Sequence, residues 1–326
     1  MGTRKALVVG INYYQHGSNL YGCVDDARAV EAALSRHEDQ TRNFGTHCML
    51  APDEHHAITR SELKDNVVKL FQDRCEIALF YFAGHGYVEQ TGGFLMCSEA
   101  READDGFSLN NLLELANDSP AENKVILLDS CHSGILGQYT KKDTTASLAE
   151  GLTVLTASTQ DQYATERNGR GVFSTLLVDA LNGSAANLTG SVTPGSIYAH
   201  IDQSLGEWEQ RPVFKTNVQR FVSLRTVNAP IALAELQRIA TLFPEEGLCY
   251  PLDPTYEPEL RGRAPGMPAP DPVHTEIFAV LQKYNRLNLL VPVEAPHMWH
   301  AAMESKSCKL TALGEHYRRL VAKGMI

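Results

Sequence analysis

Two short apolar runs that each end on a cluster of reactive residues constrain this chain more than any other feature. Residues 77–83 read IALFYFA and lead straight into Gly84-His85-Gly86. Residues 124–128 read KVILL and lead into Asp129-Ser130-Cys131-His132-Ser133-Gly134. Neither run alternates polar with apolar, so each predicts a strand buried on both faces, the signature of a parallel sheet covered by helices. Similar runs at 5–11 and 152–157, a shorter one at 47–50 and a last one at 220–224 predict further strands, and 93–97 predicts half of a hairpin. Helical patterns at 24–36, 60–71, 109–116, 172–181 and 197–209 fall between them. The fold class is α/β, a mainly parallel sheet flanked by helices.

Open sheets of this kind bind ligands beyond the C-terminal ends of their strands. If the strands at 77–83 and 124–128 are neighbours, His85 and Cys131 meet at one edge. A thiol needs a base to become a thiolate near neutral pH, and imidazole is the usual partner. The tetrahedral intermediate of acyl transfer needs N–H donors, and those of Gly86 and Cys131 are the candidates. His132 competes with His85 as base, but adjacent turn residues tend to point apart, which favours His85.

With 43% hydrophobic residues and 21% charged, the 326 residues can build a sizeable core. A net charge of −10 argues against a nucleic-acid binder or a protein of anionic membrane surfaces. The seven cysteines are scattered, with no Cys-x-x-Cys pair, which disfavours a disulfide framework or a structural zinc site and fits a reducing cytoplasm. No signal peptide or membrane-length apolar run is expected.

YFAGHG (81–86) and LLDSCHSG (127–134), in that order, resemble the catalytic dyad segments of caspase-fold cysteine peptidases, metacaspases and their bacterial relatives in particular. KALVVGIN (5–12), GCVDDA (22–27), VLTASTQDQYATE (154–166) and GVFSTLLVDAL (171–181) extend the resemblance over roughly residues 4–225. It implies a caspase-like sheet and a thiol endopeptidase with His85 and Cys131 as its dyad. It also implies an S1 pocket built from Asp26 and Asp129 beside Cys23, and therefore protein or peptide substrates with Arg or Lys at P1. Asp25 competes for the place given to Asp26. The plainer alternatives are that Asp26 caps a helix and Asp129 ends a strand. Ala83 stands where the family often has Ser. A non-catalytic caspase-like signalling scaffold is the alternative function, and it would show a damaged dyad or oxyanion segment.

Many metacaspases bind calcium. Asp104-Asp105 lie in a suitable region, but residues 89–94 (EQTGGF), beyond Glu89 at their start, lack the acid expected upstream of them, so no metal is assigned. Lys141 and Lys142 follow Cys131 in a polar stretch that resembles an intersubunit linker, which makes them candidates for self-cleavage or an ordinary surface loop. Bacterial relatives suggest an effector in stress or antiviral defence, and the family suggests a monomer.

The strand–helix alternation stops near residue 228. The division expected is a peptidase domain at 1–227 and a small mixed or helical C-terminal domain at 228–326. Prolines crowd 251–272, which predicts an extended loop or linker, followed by helices near 275–287 and 311–323. A winged-helix-like module is one option. This domain is expected to regulate or to sense a ligand, with a nucleotide messenger, a partner protein or its own protease domain as open alternatives. His297, Trp299 and His300 are candidates to line a ligand pocket.

Overall fold

The structure, a computed structural model, describes residues 2–89, 92–101, 105–130, 147–157, 166–167, 170–205 and 211–326, and at 166, 167 and 170 the backbone alone. The chain divides into two compact units, Met1–Asn228 and Ala229–Ile326.

The first unit opens with β1 (Arg4–Ile11), α1 (Cys23–Ser35), β2 (Gly45–Ala51), α2 (Arg60–Phe71) and β3 (Ile77–Ala83). A three-stranded antiparallel flap follows, made of β4 (Gly86–Glu89), β5 (Gly92–Leu95) and β6 (Phe107–Ser108). Then come α3 (Leu109–Asn117), β7 (Asn123–Asp129) and β8 (Leu152–Thr156). A short hairpin, β9 (Glu166–Arg167) and β10 (Arg170–Gly171), leads into α4 (Val172–Asp179). The unit ends with β11 (Ser191–Val192), α5 (Pro194–Ser204), β12 (Val213–Asn217) and β13 (Arg225–Thr226), with β11 pairing β13.

The central sheet has the order β12-β8-β7-β3-β1-β2, parallel except for β12 at one edge. The mainly parallel sheet flanked by helices is the one that the apolar runs predict. The last strand is a correction: it is β12, whereas 220–224 is irregular. Residues 213–217 read VFKTN, an edge strand with little burial, so they lack the apolar run that marks an inner strand.

Period-two alternation assigns each face of the sheet to its helices. Leu7, Val9, Phe80, Phe82 and Leu128 pack with α2 and α3. Ala6, Val8, Leu79, Tyr81 and Leu127 pack with α1, α4 and α5. Capping boxes at Thr59 and Thr193 start α2 and α5. On the second face α1 lies unusually close to β1. A Cβ at Gly10 would stand 2.5 Å from the Cys23 carbonyl oxygen and 2.7 Å from the Ala27 Cβ. Gly10 thereby fixes the seat of the helix turn that carries Cys23 and Asp26.

The second unit carries α6 (Leu233–Gln237), α7 (Ile239–Leu242), β14 (Cys249–Pro251), α8 (Pro272–Arg286), β15 (Leu290–Val293), α9 (Met298–Met303), β16 (Ser307–Leu310) and α10 (Ala312–Ala322). Its sheet is antiparallel in the order β14-β16-β15. Residues 252–271, predicted as loop or linker, are irregular, but they lie inside this unit. Prolines cannot donate backbone hydrogen bonds, and Arg263 supplies the donors instead. Its guanidinium binds the carbonyls of Pro254 (2.8 Å), Glu259 (3.0 Å), Pro268 (2.6 Å) and Glu257.

Among the described residues no helix is long and apolar enough to cross a membrane. The described cysteines are all free thiols.

Gly10→Ala should destabilise the protein by about 1–3 kcal/mol through overpacking against backbone, measured by urea unfolding. Arg263→Ala should cost the second unit about 2–4 kcal/mol by orphaning several carbonyls at once, and limited proteolysis should then cut first within 252–271.

Candidate active site

β3 and β7 are direct neighbours, in parallel register with Ala83 opposite Asp129. His85 lies two residues beyond Ala83, and Cys131 lies two residues beyond Asp129. The register therefore sends both chain segments off the same edge of the sheet, level with each other. Cys131 itself, with His132, Lys141 and Lys142, lies outside the described residues.

His85 is held from three directions. Its backbone N–H donates to the Tyr14 hydroxyl at 2.7 Å. Its carbonyl accepts from Met96 N–H at 2.9 Å. Its Nε2 lies 2.8 Å from the Ser18 carbonyl oxygen, and a carbonyl only accepts, so Nε2 carries the proton. In the neutral ring Nδ1 is then the basic nitrogen. The Tyr14 ring packs on the imidazole, with centroids 4.6 Å apart and planes at 50°. Tyr14 also sets the need for Gly84, where a Cβ would stand 2.6 Å from the Tyr14 hydroxyl.

Gly86 pairs with Leu95 across the flap. The bond from Met96 N–H to the His85 carbonyl makes 86–95 a non-hydrogen-bonded pair, in which the residue's own N–H points away from the partner strand. The Gly86 N–H is thus not consumed by the flap ladder, as an oxyanion donor requires.

The acids separate cleanly. Asp25 is on the surface, with Arg28 at 3.4 Å. Asp26 and Asp129 are buried, at 3% and 7% exposure, on the face covered by α1 and α4. Asp26 sits inside α1, whose N-cap is Gly22, so it does not cap its own helix. Its Oδ2 instead accepts from Gly171 N–H at 2.9 Å. Asp129 Oδ2 accepts from Ser174 N–H at 3.2 Å and from the Ser174 hydroxyl at 2.5 Å. Both acids therefore converge on the first turn of α4, where the helix dipole favours negative charge. A Cβ at Gly171 would lie 2.3 Å from Asp129 Oδ2 and 3.2 Å from Asp26 Oδ2. Cys23, the first residue of α1, is buried nearby, and Ala83 is buried opposite Asp129. Burial, then the Asp129 charge, push the Tyr81 phenol well above its ordinary range, and Asp26 and Cys23 add to the push.

Tyr14, Ser18, Tyr81, Gly171 and Ser174 were not singled out from the sequence. A polar Ser174 on the apolar stripe of α4, between Phe173 and Leu177, is the one signal that could have been read.

Asp105, the described member of the candidate calcium pair, accepts a hydrogen bond from Arg101 N–H at 3.0 Å. Asp104 lies outside the described residues. Among the described residues no three metal-ligating side chains cluster. In the second unit the His300 ring lies 5.8 Å from His297 and 4.9 Å from Trp299, which is 37% exposed.

The family model of the Caspase domain matches residues 3–222. Metacaspase-1 of Debaryomyces hansenii is 26% identical over 152 residues, which cover 41% of this chain and 33% of that protein. Metacaspase-1 of Scheffersomyces stipitis is 29% identical over 91 residues, covering 26% of this chain and 22% of that protein. The chain thus matches a third or less of the length of these curated relatives. Among solved structures, a structural-genomics protein from Geobacter sulfurreducens aligns with a TM-score of 0.51 at 18% identity, covering 69% of this chain and all of that one. Caspase-1 from Spodoptera frugiperda aligns with a TM-score of 0.50 at 11% identity, covering 69% of this chain and 91% of that one. At such identities the structural likeness is one of fold. The match over residues 3–222 shows that this chain belongs to the caspase family of cysteine peptidases.

Proposed function

We propose that this protein is a cysteine endopeptidase that cleaves after Arg or Lys. The observation that carries the specificity is the buried pair Asp26 and Asp129, gathered at the first turn of α4, with Asp129 two residues before Cys131 in the sequence. Two carboxylates in one buried place repel each other and lose hydration. A guanidinium or ammonium at P1 offsets both costs, and a guanidinium can bind carboxylates bidentately. An acidic P1 side chain would meet only repulsion there.

His85, with its proton on Nε2 and Ser18 as acceptor, keeps Nδ1 as the base for the Cys131 thiol. The thiolate attacks the carbonyl carbon of the P1 residue. The carbonyl oxygen becomes an oxyanion, for which the N–H groups of Gly86 and Cys131 are the donors. The imidazolium then protonates the leaving amine, and water, deprotonated by His85, releases the acyl group.

Self-cleavage at Lys141 or Lys142 would follow from the same preference. Calcium dependence, a regulatory signal received by residues 229–326 and a role in stress or antiviral defence belong to this reading through resemblance to relatives.

A scan of fluorogenic peptides differing only at P1, with and without calcium, tests the assignment. Cleavage after Arg and Lys is expected, with none after Asp. Cys131→Ala should abolish it, and His85→Ala should reduce it by about 10²–10⁴-fold. Cleavage after Asp alone would overturn the specificity, and no cleavage under any condition would favour a scaffold. Fragments that persist in Cys131→Ala would exclude self-processing.

Gly171→Ala probes the acid pair without backbone strain, since φ is −64° there. The new methyl group would displace a carboxylate, and misplacement on the ångström scale costs about 10²-fold in rate. We expect kcat/KM for Arg peptides to fall by about that factor, with the circular dichroism spectrum unchanged.

A further inference from the structure

Ser174 holds Asp129 twice. The backbone N–H and the hydroxyl of Ser174 both reach the same oxygen, Oδ2, at 3.2 and 2.5 Å. An oxygen that takes two donors is acting as an acceptor, so the Ser174 hydroxyl proton is committed to Asp129. The Tyr81 hydroxyl lies 2.5 Å from Ser174 Oγ and must therefore donate to it. The result is a directed chain from Tyr81 to Ser174 to Asp129. Tyr81 and Ser174 are fully buried, at 0% exposure, where hydrogen bonds in series strengthen one another. Tyr81 keeps its proton, because burial and the Asp129 charge both oppose its ionisation.

Packing alone does not explain these two residues. Ala at 174 and Phe at 81 would fill the same core without burying hydroxyls, which cost free energy unless they are bonded. What the hydroxyls add is a fixed direction for the Asp129 carboxylate. A carboxylate that must meet a guanidinium in one geometry loses affinity if it can rotate.

We propose that Ser174, backed by Tyr81, is a specificity-determining positioning residue: it holds the Asp129 carboxylate ionised and oriented for a basic P1 side chain. The proposal rests on the reading of Asp26 and Asp129 as the acids of the S1 pocket. Ser174 acts through Asp129 and need not touch the substrate.

The test uses the full chain and two matched peptides, one with Arg at P1 and one with citrulline, its uncharged near-isostere. Ser174→Ala should lower kcat/KM for the Arg peptide by about tenfold, a typical loss for one hydrogen bond to a charged group, mostly through KM. The citrulline peptide should change by less than about twofold. Tyr81→Phe should shift the Arg-to-citrulline ratio the same way, by about threefold. Should Ser174→Ala fail to fold in a thermal melt, Ser174→Cys carries the test, since it keeps the volume and supplies a weak donor. Folded variants that retain the wild-type ratio, or lose both peptides equally, would overturn the proposal and leave Ser174 a structural residue. A wild-type enzyme that does not prefer Arg to citrulline would overturn the S1 reading, and this proposal with it.

Discussion

Three hydrogen bonds from the first turn of α4 hold two buried carboxylates side by side, and much of the peptidase unit is organised to allow it. Gly171 N–H serves Asp26, and the N–H and hydroxyl of Ser174 serve Asp129. Burying one carboxylate costs several kcal/mol, and burying two together adds their repulsion. The partial positive charge at a helix N-terminus, about half an elementary charge, recovers part of that cost. The geometry requires α1, β7 and α4 to meet within a few ångströms. Gly10 lets α1 sit on the backbone of β1, and Gly171 lets α4 begin against the acids. Either glycine replaced by a larger residue would push a carboxylate-bearing element away.

The proposed dyad depends on a different constraint, the register between β3 and β7. A parallel pairing with Ala83 opposite Asp129 ends the two strands level at one edge of the sheet. Strand period then divides the labour. Tyr81, Ala83 and Asp129 point to the face covered by α1 and α4, where the acids gather. His85 leaves the sheet plane and is caught by Tyr14 and Ser18, which follow β1. In the proposed reading, catalysis and specificity therefore draw on different neighbours of the same two strands.

The sheet and the two strand ends were legible in the sequence because buried parallel strands are written as apolar runs and their ends as glycine-flanked reactive residues. The edge strand Val213–Asn217 was not, since an edge needs no such run. The proline-rich stretch read as a linker because its order depends on one side chain within it, Arg263, folding back onto neighbouring carbonyls, which composition does not reveal. Asp26 could be separated from Asp25 only by helix phase: it falls with Cys23, Ala27 and Val30 on the buried stripe of α1, while Asp25 faces Arg28 on the surface. Ser174, Tyr81 and Tyr14 act by contacts across 45 to 93 residues, and no local pattern encodes those.

Binding the N-terminus of α4 and forming a P1 pocket are compatible roles for the buried acids. If the cation of the substrate were the sole counter-charge, the resting enzyme would hold two carboxylates with nothing to keep both ionised, and one would take up a proton. Binding an Arg side chain would then require that proton to leave, a cost deducted from every encounter. A fixed counter-charge from α4 lowers the penalty in advance, because the helix N–H groups are present whether or not substrate is bound. Their charge is partial, so they do not by themselves neutralise the pair. The first turn of α4 therefore acts as a preorganised environment for the acids, on which the proposed preference for a basic P1 side chain would draw.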